Sequence, residues 1–143
     1  MHLLANAEEQ KSFFIFLSTD FVFNGEEGMY KEDDEPGPVN FYGRSKQEAE
    51  DAVKEYIYDW SIVRTVLVYG KPATGKQNLL TVIKEKLQAG ERYKAVDDQV
   101  RTPTYVEDLV KGIISIIERK ATGIYHLSGE RYINALPNGQ YDC

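Results

Sequence analysis

Buried strands and amphipathic helices alternate along this chain. Residues 13–17 and 60–68 are near-continuous apolar runs, which are typical of parallel strands covered on both faces. Longer segments with apolar side chains at helical spacing predict helices at residues 41–58, 78–89 and 106–119. Shorter elements are predicted as well: the end of a helix at residues 3–10 and strands at 93–96 and 124–127. This alternation predicts an α/β fold, in which helices flank a parallel sheet.

The charge balance excludes several kinds of partner. The chain has 23 Asp and Glu residues against 17 Lys and Arg, a formal net charge of −6. Nucleic acids and anionic membrane surfaces bind basic faces, so we expect neither as a partner. The apolar runs are far shorter than a bilayer span, no secretory signal stands at Met1, and the single Cys143 leaves no disulfide within the chain. We therefore expect a soluble, cytoplasmic protein.

The main chemical signal is a Tyr-x-x-x-Lys pair, Tyr42 and Lys46, which follows a strand ending in Ser-Thr. In a helix, residues four apart lie on the same face. A cation beside a phenol stabilises the phenolate, so the tyrosine can exchange a proton near neutral pH. Thr19, at the end of the strand, offers a hydroxyl that can hold a substrate oxygen while its charge changes. An ordinary exposed helical pair is the alternative, but the order of Ser-Thr turn, acidic loop and helix start favours a proton-transfer site.

Five sequence blocks resemble one family in kind and in order. They are STDFVF (18–23), YGRSK (42–46), SIVRTVLVYG (61–70), VRTPTYVEDL (100–109) and GIYHLSG (123–129). Together they resemble the dTDP-4-dehydrorhamnose reductase-like branch of the extended short-chain dehydrogenases/reductases. The resemblance implies a Rossmann-like fold and the reduction of a 4-keto nucleotide sugar by NADPH or NADH. It also allows a homodimer of the full-length form.

The resemblance implies a role for each candidate residue. Thr19 would bind the keto oxygen of the nucleotide sugar, and Tyr42 would supply the proton. Lys46 would hold both Tyr42 and the nicotinamide ribose, which makes Tyr42 and Lys46 cofactor-binding residues as well. Asp20 would either orient the turn or contact the substrate.

Three further residues within these blocks have charged or polar side chains. Arg101 matches an arginine that related enzymes place against the substrate diphosphate, a role that suits a guanidinium fork. A surface Arg101 paired with Asp97 or Asp98 is an equal alternative. Arg64 is expected to pair inside the fold, and His126 to pack within a strand.

A glycine-rich dinucleotide-binding turn is missing from the sequence. None of the 11 glycines forms G-x-G-x-x-G or G-x-x-G-x-x-G. We therefore expect a fragment without the N-terminal glycine-rich half, inactive in isolation, whose unpaired strand edge promotes self-association. The predicted organisation is a catalytic half of a Rossmann-like domain at 1–68 and a substrate-side portion at 69–133. Residues 134–143 would be an atypical tail, which a one-base frameshift near residue 133 would produce.

Two other motifs suggest ligands less strongly. Residues 70–77 (GKPATGKQ) resemble a P-loop, but Gln77 stands where a Ser or Thr must bind Mg²⁺, so we favour a plain loop. The acidic run at 32–35 lacks the spacing of a calcium loop and is interpreted as solvated charge. His2 and His126 have no cysteine partners, and no metal site is predicted.

Two other functions stay open at this level. Nucleotide-sugar epimerases and dehydratases use the same Thr, Tyr and Lys, so these residues do not separate them from a reductase. A non-catalytic binding or regulatory subunit of the same family is the alternative from another class. The sequence does not identify the sugar or the choice between NADH and NADPH.

Overall fold

A computed structural model describes residues 2–71, 78–94 and 99–134. Its helices are His2–Glu9 (α1), Phe41–Lys54 (α2), Leu79–Gln88 (α3) and Val106–Arg119 (α4), with a 3₁₀ helix at Asp20–Val22. Its strands are Phe14–Thr19 (β1), Trp60–Thr65 (β2), Val68–Tyr69 (β3), Val100–Arg101 (β4), Thr104–Tyr105 (β5), Gly123–Leu127 (β6) and Ile133–Asn134 (β7). The predicted α/β class, with a parallel sheet and flanking helices, is confirmed. No helix among the described residues is long and apolar enough to cross a bilayer.

The main sheet consists of three parallel strands in the order β1-β2-β6. Ile62 and Val63, in the central strand, are fully buried, as expected for a strand with neighbours on both sides. In the register of the sheet, Ser18 lies opposite Arg64, and Arg64 lies opposite His126. These three residues form one row across the sheet, near the carboxyl ends of its strands.

The described residues group into two compact units, one within Met1–Thr65 and Val110–Leu127 and the other within Val66–Leu109 and Ser128–Cys143. The first unit contains the three-stranded sheet and α2. In the second unit, β3 pairs with β5 in parallel and β4 pairs with β7 in antiparallel fashion. The Thr104 hydroxyl donates a hydrogen bond to the Val66 carbonyl, 2.6 Å away, which fixes the start of β5 beside the segment before β3.

The strand predicted at residues 60–68 is in fact two strands. The central strand ends at Thr65, and the separate strand Val68–Tyr69 follows in the other unit. Leu67 has a φ of 33°, a conformation that a continuous strand does not contain, so the chain changes direction there. The strand predicted at 93–96 is not found at Tyr93 and Lys94, and residues 95 and 96 lie outside the described part of the chain.

The predicted helices are confirmed, although α2 is shorter than expected. It ends at Lys54 rather than near residue 58, because Tyr56 turns back towards the first strand. The Tyr56 hydroxyl donates to the Ser12 carbonyl at 2.7 Å, and its ring lies 5.8 Å from that of Phe14. The start of α3 is fixed by a capping box between Asn78 and Thr81. Most of the P-loop-like segment (72–77) and of the tail (135–143) lies outside the described residues.

Candidate active site

Thr19 ends β1 and caps the 3₁₀ helix that follows it. Its hydroxyl oxygen accepts a hydrogen bond from the Phe21 main-chain N–H at 3.3 Å and donates one to Asp20 Oδ1 at 3.0 Å. The residue is only 6 % exposed. These two bonds hold the hydroxyl in one orientation at the carboxyl end of a parallel strand, which is where open α/β sheets bind ligands. Asp20 is thus part of the turn, and its contact with a substrate stays a prediction.

Tyr42 is the second residue of α2, whose start is fixed by Asn40. The Asn40 side-chain carbonyl accepts a hydrogen bond from the Gly43 N–H at 2.8 Å, an N-cap that satisfies one of the free amides of the first turn. Tyr42 is 51 % exposed, so its phenol is accessible to a ligand. Its ring packs edge-to-face against Phe21, with centroids 5.8 Å apart.

Gly43 brings this helix start onto the turn after β1. A Cβ at position 43 would lie 2.0 Å from the Phe21 carbonyl oxygen and 2.9 Å from Cβ of Pro38. Any side chain would therefore push α2 away from the turn. The sequence thus places Tyr42 next to the Thr19–Asp20 turn because the residue that follows it has no side chain.

Lys46 lies one helical turn after Tyr42 and contacts β1. Its Nζ donates to the Leu17 main-chain carbonyl at 2.9 Å and lies 4.8 Å from the centroid of the Phe16 ring. Lys46 and Tyr42 are therefore both held beside the carboxyl end of β1. The predicted contact between the Lys46 ammonium and the Tyr42 phenol stays a prediction.

The position of the Leu17 carbonyl explains this contact. The Phe14 N–H donates to the Asp59 carbonyl, so Phe14 and every second residue after it point their main-chain groups towards β2. The main-chain groups of Leu17 then face the opposite edge of the strand. Lys46 therefore donates to a main-chain carbonyl that faces away from β2.

A buried ion pair lies under α2. The sequence predicted that its arginine, Arg64, is paired, but it did not identify the partner. The Arg64 guanidinium makes two parallel hydrogen bonds to the Glu50 carboxylate, Nε to Oε1 at 3.0 Å and Nη2 to Oε2 at 2.7 Å. The expectation that Arg64 pairs inside the fold is confirmed. Its partner could have been suspected because Glu50 follows Gly43 by two helical turns and so shares its buried face.

The same arginine contacts β6 and the acidic loop, by which we mean the segment before α2 that contains the acidic run at residues 32–35. Its Nη1 donates to the Glu32 main-chain carbonyl at 3.3 Å and lies 3.4 Å from His126 Nε2, and its Cζ lies 4.9 Å from the centre of the Phe23 ring. We call Arg64, Glu50, Glu32, His126 and Phe23 the arginine cluster. It joins α2, the acidic loop and two strands of the sheet.

Glu32 is exposed, in agreement with the interpretation of the acidic run as solvated charge, but its side chain also makes one specific contact. Its Oε1 accepts a hydrogen bond from the His126 main-chain N–H at 3.0 Å. This bond lowers the pKa of the Glu32 carboxyl below its usual value, because it stabilises the ionised form. The pKa of His126, which lies in β6 as expected, is lowered chiefly by burial.

Arg101 belongs to the second compact unit. Two of its guanidinium nitrogens, Nε and Nη2, donate to the Gln99 side-chain oxygen at 3.2 and 3.0 Å. The alternative partners Asp97 and Asp98 lie outside the described residues. A role of Arg101 in binding a diphosphate stays a prediction.

Comparison with known proteins identifies the family. The family model of the RmlD substrate binding domain matches residues 1–140. The chain is 34 % identical over 124 residues to methionine adenosyltransferase 2 subunit beta of Xenopus tropicalis, covering 82 % of this chain and 37 % of that protein. It is 32 % identical over 146 residues to the probable low-salt glycan biosynthesis reductase Agl14 of Haloferax volcanii, covering 99 % and 48 %.

The fold agrees with a solved reductase. The structure of dTDP-4-dehydrorhamnose reductase from Bacillus anthracis in complex with NADP superposes with a TM-score of 0.86 at 32 % identity, covering 92 % of this chain and 46 % of that one. The predicted Rossmann-like character of the sheet is thereby confirmed. The chain spans less than half the length of these relatives. It belongs to the RmlD substrate binding domain family, in the dTDP-4-dehydrorhamnose reductase-like branch of the extended short-chain dehydrogenases/reductases.

Proposed function

We propose that this chain carries the proton-transfer residues of an NAD(P)H-dependent reductase that acts on the 4-keto group of a nucleotide sugar. The observation that supports this most directly is the packing of Tyr42 against Phe21, in the turn that Thr19 caps. Residues that could serve as a proton donor and as a hydroxyl holding a carbonyl oxygen thus lie on neighbouring segments near the carboxyl end of one strand. The reductase names of Agl14 and of the Bacillus anthracis protein agree with this chemistry.

In this proposal each residue has a separate task. The Thr19 hydroxyl, which now donates to Asp20, would rotate to donate to the keto oxygen and orient it. Tyr42 would give its phenolic proton to the same oxygen as negative charge develops there. Lys46 would stabilise the phenolate that is left behind, using an N–H that the Leu17 carbonyl does not take.

The residues present fit the nicotinamide end of the cofactor. An ammonium has three N–H donors, and the Leu17 carbonyl takes one of them, so Lys46 can also bind ribose hydroxyls while it holds its place on β1. The accessible phenol of Tyr42 lies one helical turn away. When bound, the nicotinamide supplies the hydride. The proposal extends to a cytoplasmic location and, in the full-length form, to a homodimer.

The test is NADPH consumption in the presence of dTDP-4-dehydrorhamnose, together with binding of that sugar nucleotide observed by NMR. Tyr42→Phe is expected to keep binding within a few-fold but to lower turnover on the order of 100-fold or more, because it removes the proton donor. The matched control is Tyr58→Phe, which removes a phenol outside this turn. If neither the parent chain nor a longer form of the protein consumes NADPH or binds the sugar nucleotide, the proposal is wrong.

A non-catalytic subunit is the second candidate. It is supported by the 34 % identity to a protein named methionine adenosyltransferase 2 subunit beta. In that case the chain would form a complex with a methionine adenosyltransferase, and Tyr42→Phe and Lys46→Met would leave the complex unchanged. Co-purification of the two proteins, without any binding of dTDP-4-dehydrorhamnose, would favour this function over the reductase.

A further inference from the structure

The Arg64–Glu50 pair is an unusual way to hold a helix on a sheet. Arg64 is 3 % exposed and Glu50 is fully buried, so both charges have lost most of their hydration. Removing two ions from water costs free energy that their attraction often only balances, and apolar pairs of similar size are frequently as stable. The pair is therefore better understood as a device that specifies geometry than as a source of stability.

The geometry that it specifies is the position of α2. Glu50 lies on the same helix face as Gly43, seven residues or about 10 Å along the axis from it. Gly43 sets the distance of the first helical turn from the Phe21 carbonyl, and Lys46 holds the next turn on the Leu17 carbonyl, but both contacts lie in the N-terminal half of α2 and do not set the rotation of its C-terminal half. The two parallel hydrogen bonds to Arg64 at the other end remove that freedom, because a bidentate pair tolerates little rotation.

The remaining nitrogen of the guanidinium extends the same constraint to the loop before α2. Nη1 donates to the Glu32 main-chain carbonyl, and the Glu32 carboxylate accepts the N–H of His126. The loop that leads to Asn40, the N-cap of α2, is thereby attached to β2 and β6 at one point. Both the helix that carries Tyr42 and the chain that enters it thus depend on Arg64.

We propose that Arg64 is a positioning residue for the candidate active site, which acts through Glu50 and the Glu32 carbonyl to keep Tyr42 packed against Phe21 beside Thr19. The catalytic meaning of this placement rests on the proposed function, whereas the placement itself does not. Arg64 lies beneath α2 and acts on the site through the helix.

The test compares two ion pairs on the same helix. The double variant Glu50→Leu, Arg64→Met replaces the buried pair by apolar side chains, and the control Asp51→Leu, Lys54→Met replaces the solvent-exposed pair of α2, whose atoms are 3.0 Å apart. Melting temperature reports stability, and NMR contacts between the Tyr42 and Phe21 rings report position. We expect the buried-pair variant to melt at or above the parent temperature but to lose the Tyr42–Phe21 contacts. The control is expected to keep both the parent melting temperature and the Tyr42–Phe21 contacts.

A second variant covers the case in which the double variant does not fold. Arg64→Lys keeps the charge but cannot form the two parallel hydrogen bonds. We expect it to fold and to weaken the Tyr42–Phe21 contacts. In whichever form of the protein consumes NADPH, the parent chain or a longer form, we expect it to lower turnover by about tenfold to 100-fold, as misplacement of a reacting group does. A folded Arg64→Lys or double variant with unchanged Tyr42–Phe21 contacts would overturn the inference.

These outcomes also separate the inference from the proposed function. If the ring contacts are lost and Tyr42→Phe has no effect on turnover, Arg64 positions Tyr42 but the reductase proposal fails. If Tyr42→Phe abolishes turnover while the contacts survive in both Arg64 variants, the reductase proposal stands and the positioning role is wrong.

Discussion

Gly43 and Phe21 lie in direct contact, with the Phe21 carbonyl oxygen 2.0 Å from where a Cβ of residue 43 would be. This contact joins the first turn of α2 to the turn that ends β1. At this point the two segments, which carry Tyr42 and Thr19, lie too close together to admit a side chain between them.

Gly43→Ala is expected to destabilise the protein, although alanine favours helices. The new methyl group would overlap main-chain atoms that have little room to move, and overpacking of this kind costs about 1–3 kcal/mol. The gain in helix propensity, about 1 kcal/mol, would be outweighed. Urea unfolding measures the change. Gly37→Ala is the matched control, because the nearest atom to its Cβ is 3.8 Å away, and equal losses in both variants would contradict the prediction.

Asn40→Ala is expected to fray the first turn of α2. The variant loses the side-chain oxygen that accepts the Gly43 N–H, at a cost of about 1 kcal/mol. Asn40→Asp keeps an acceptor at the N-cap and is expected to retain stability. Amide hydrogen exchange at Gly43 distinguishes the two variants, and unchanged protection in Asn40→Ala would show that the cap is not needed.

Ser18→Ala and Ser61→Ala are expected to have different effects, although both serines are buried in neighbouring strands. The Ser18 hydroxyl oxygen has no hydrogen-bond partner among the described residues, so its removal is expected to leave stability unchanged or to raise it by about 1 kcal/mol. The Ser61 hydroxyl donates to the Ala121 carbonyl, and its loss is expected to cost about 1–3 kcal/mol. Equal effects in thermal unfolding would show that Ser18 has a partner after all.

The protein is expected to lose stability as the pH falls from about 6.5, because burial lowers the pKa of His126 in the fold. Below about pH 6.5 the unfolded chain binds a proton that the folded chain does not, so protonation favours unfolding until the folded pKa is reached. The pKa of Glu32 is also lowered, and its contribution is present above its usual value of 4.5 and lost as the pH falls through the lowered one. The groups around His126 are Arg64, Glu32, Glu50 and the ring of Phe23.

Unfolding free energies between about pH 5 and 7 test this pH dependence. His126→Gln is expected to flatten the loss of stability, because glutamine does not titrate. His2→Gln, which changes an exposed histidine on α1, is expected to leave the loss of stability at low pH as it is in the parent protein. A parent protein whose stability is constant over this range would contradict a lowered pKa of the half-buried His126.

The sequence predicted most of the longer elements because their signals are local. The apolar run before Thr19 identified β1, and helical spacing with end signals identified α3 and α4. The predicted length of β2 was wrong, because the end of this strand depends on the positive φ of Leu67, which no composition signal indicates. Pairing between β3 and β5 was also missed, because strands of two residues are too short to show a period.

The residues of the candidate site also divide into those that local patterns indicated and those that only the fold brought together. The residue types and their order indicated Thr19, Tyr42 and Lys46, since a Ser-Thr turn and a Tyr-x-x-x-Lys pair are local patterns. The pairing of Glu50 with Arg64 was not predicted, because the two residues are 14 positions apart and lie on different elements. The bond between Glu32 and His126 spans 94 positions and was missed for the same reason.

The sequence by itself determined the α/β class, the order of the main elements and the chemical types available for proton transfer, because periodicity and residue chemistry act over a few neighbouring positions. The tertiary structure alone decided which of these residues meet. It placed Gly43 against Phe21, Lys46 on the Leu17 carbonyl and Arg64 under α2. Such contacts depend on the packing of segments distant in the chain, and the cost of burying a charge or crowding a backbone atom arises only once those segments are packed together.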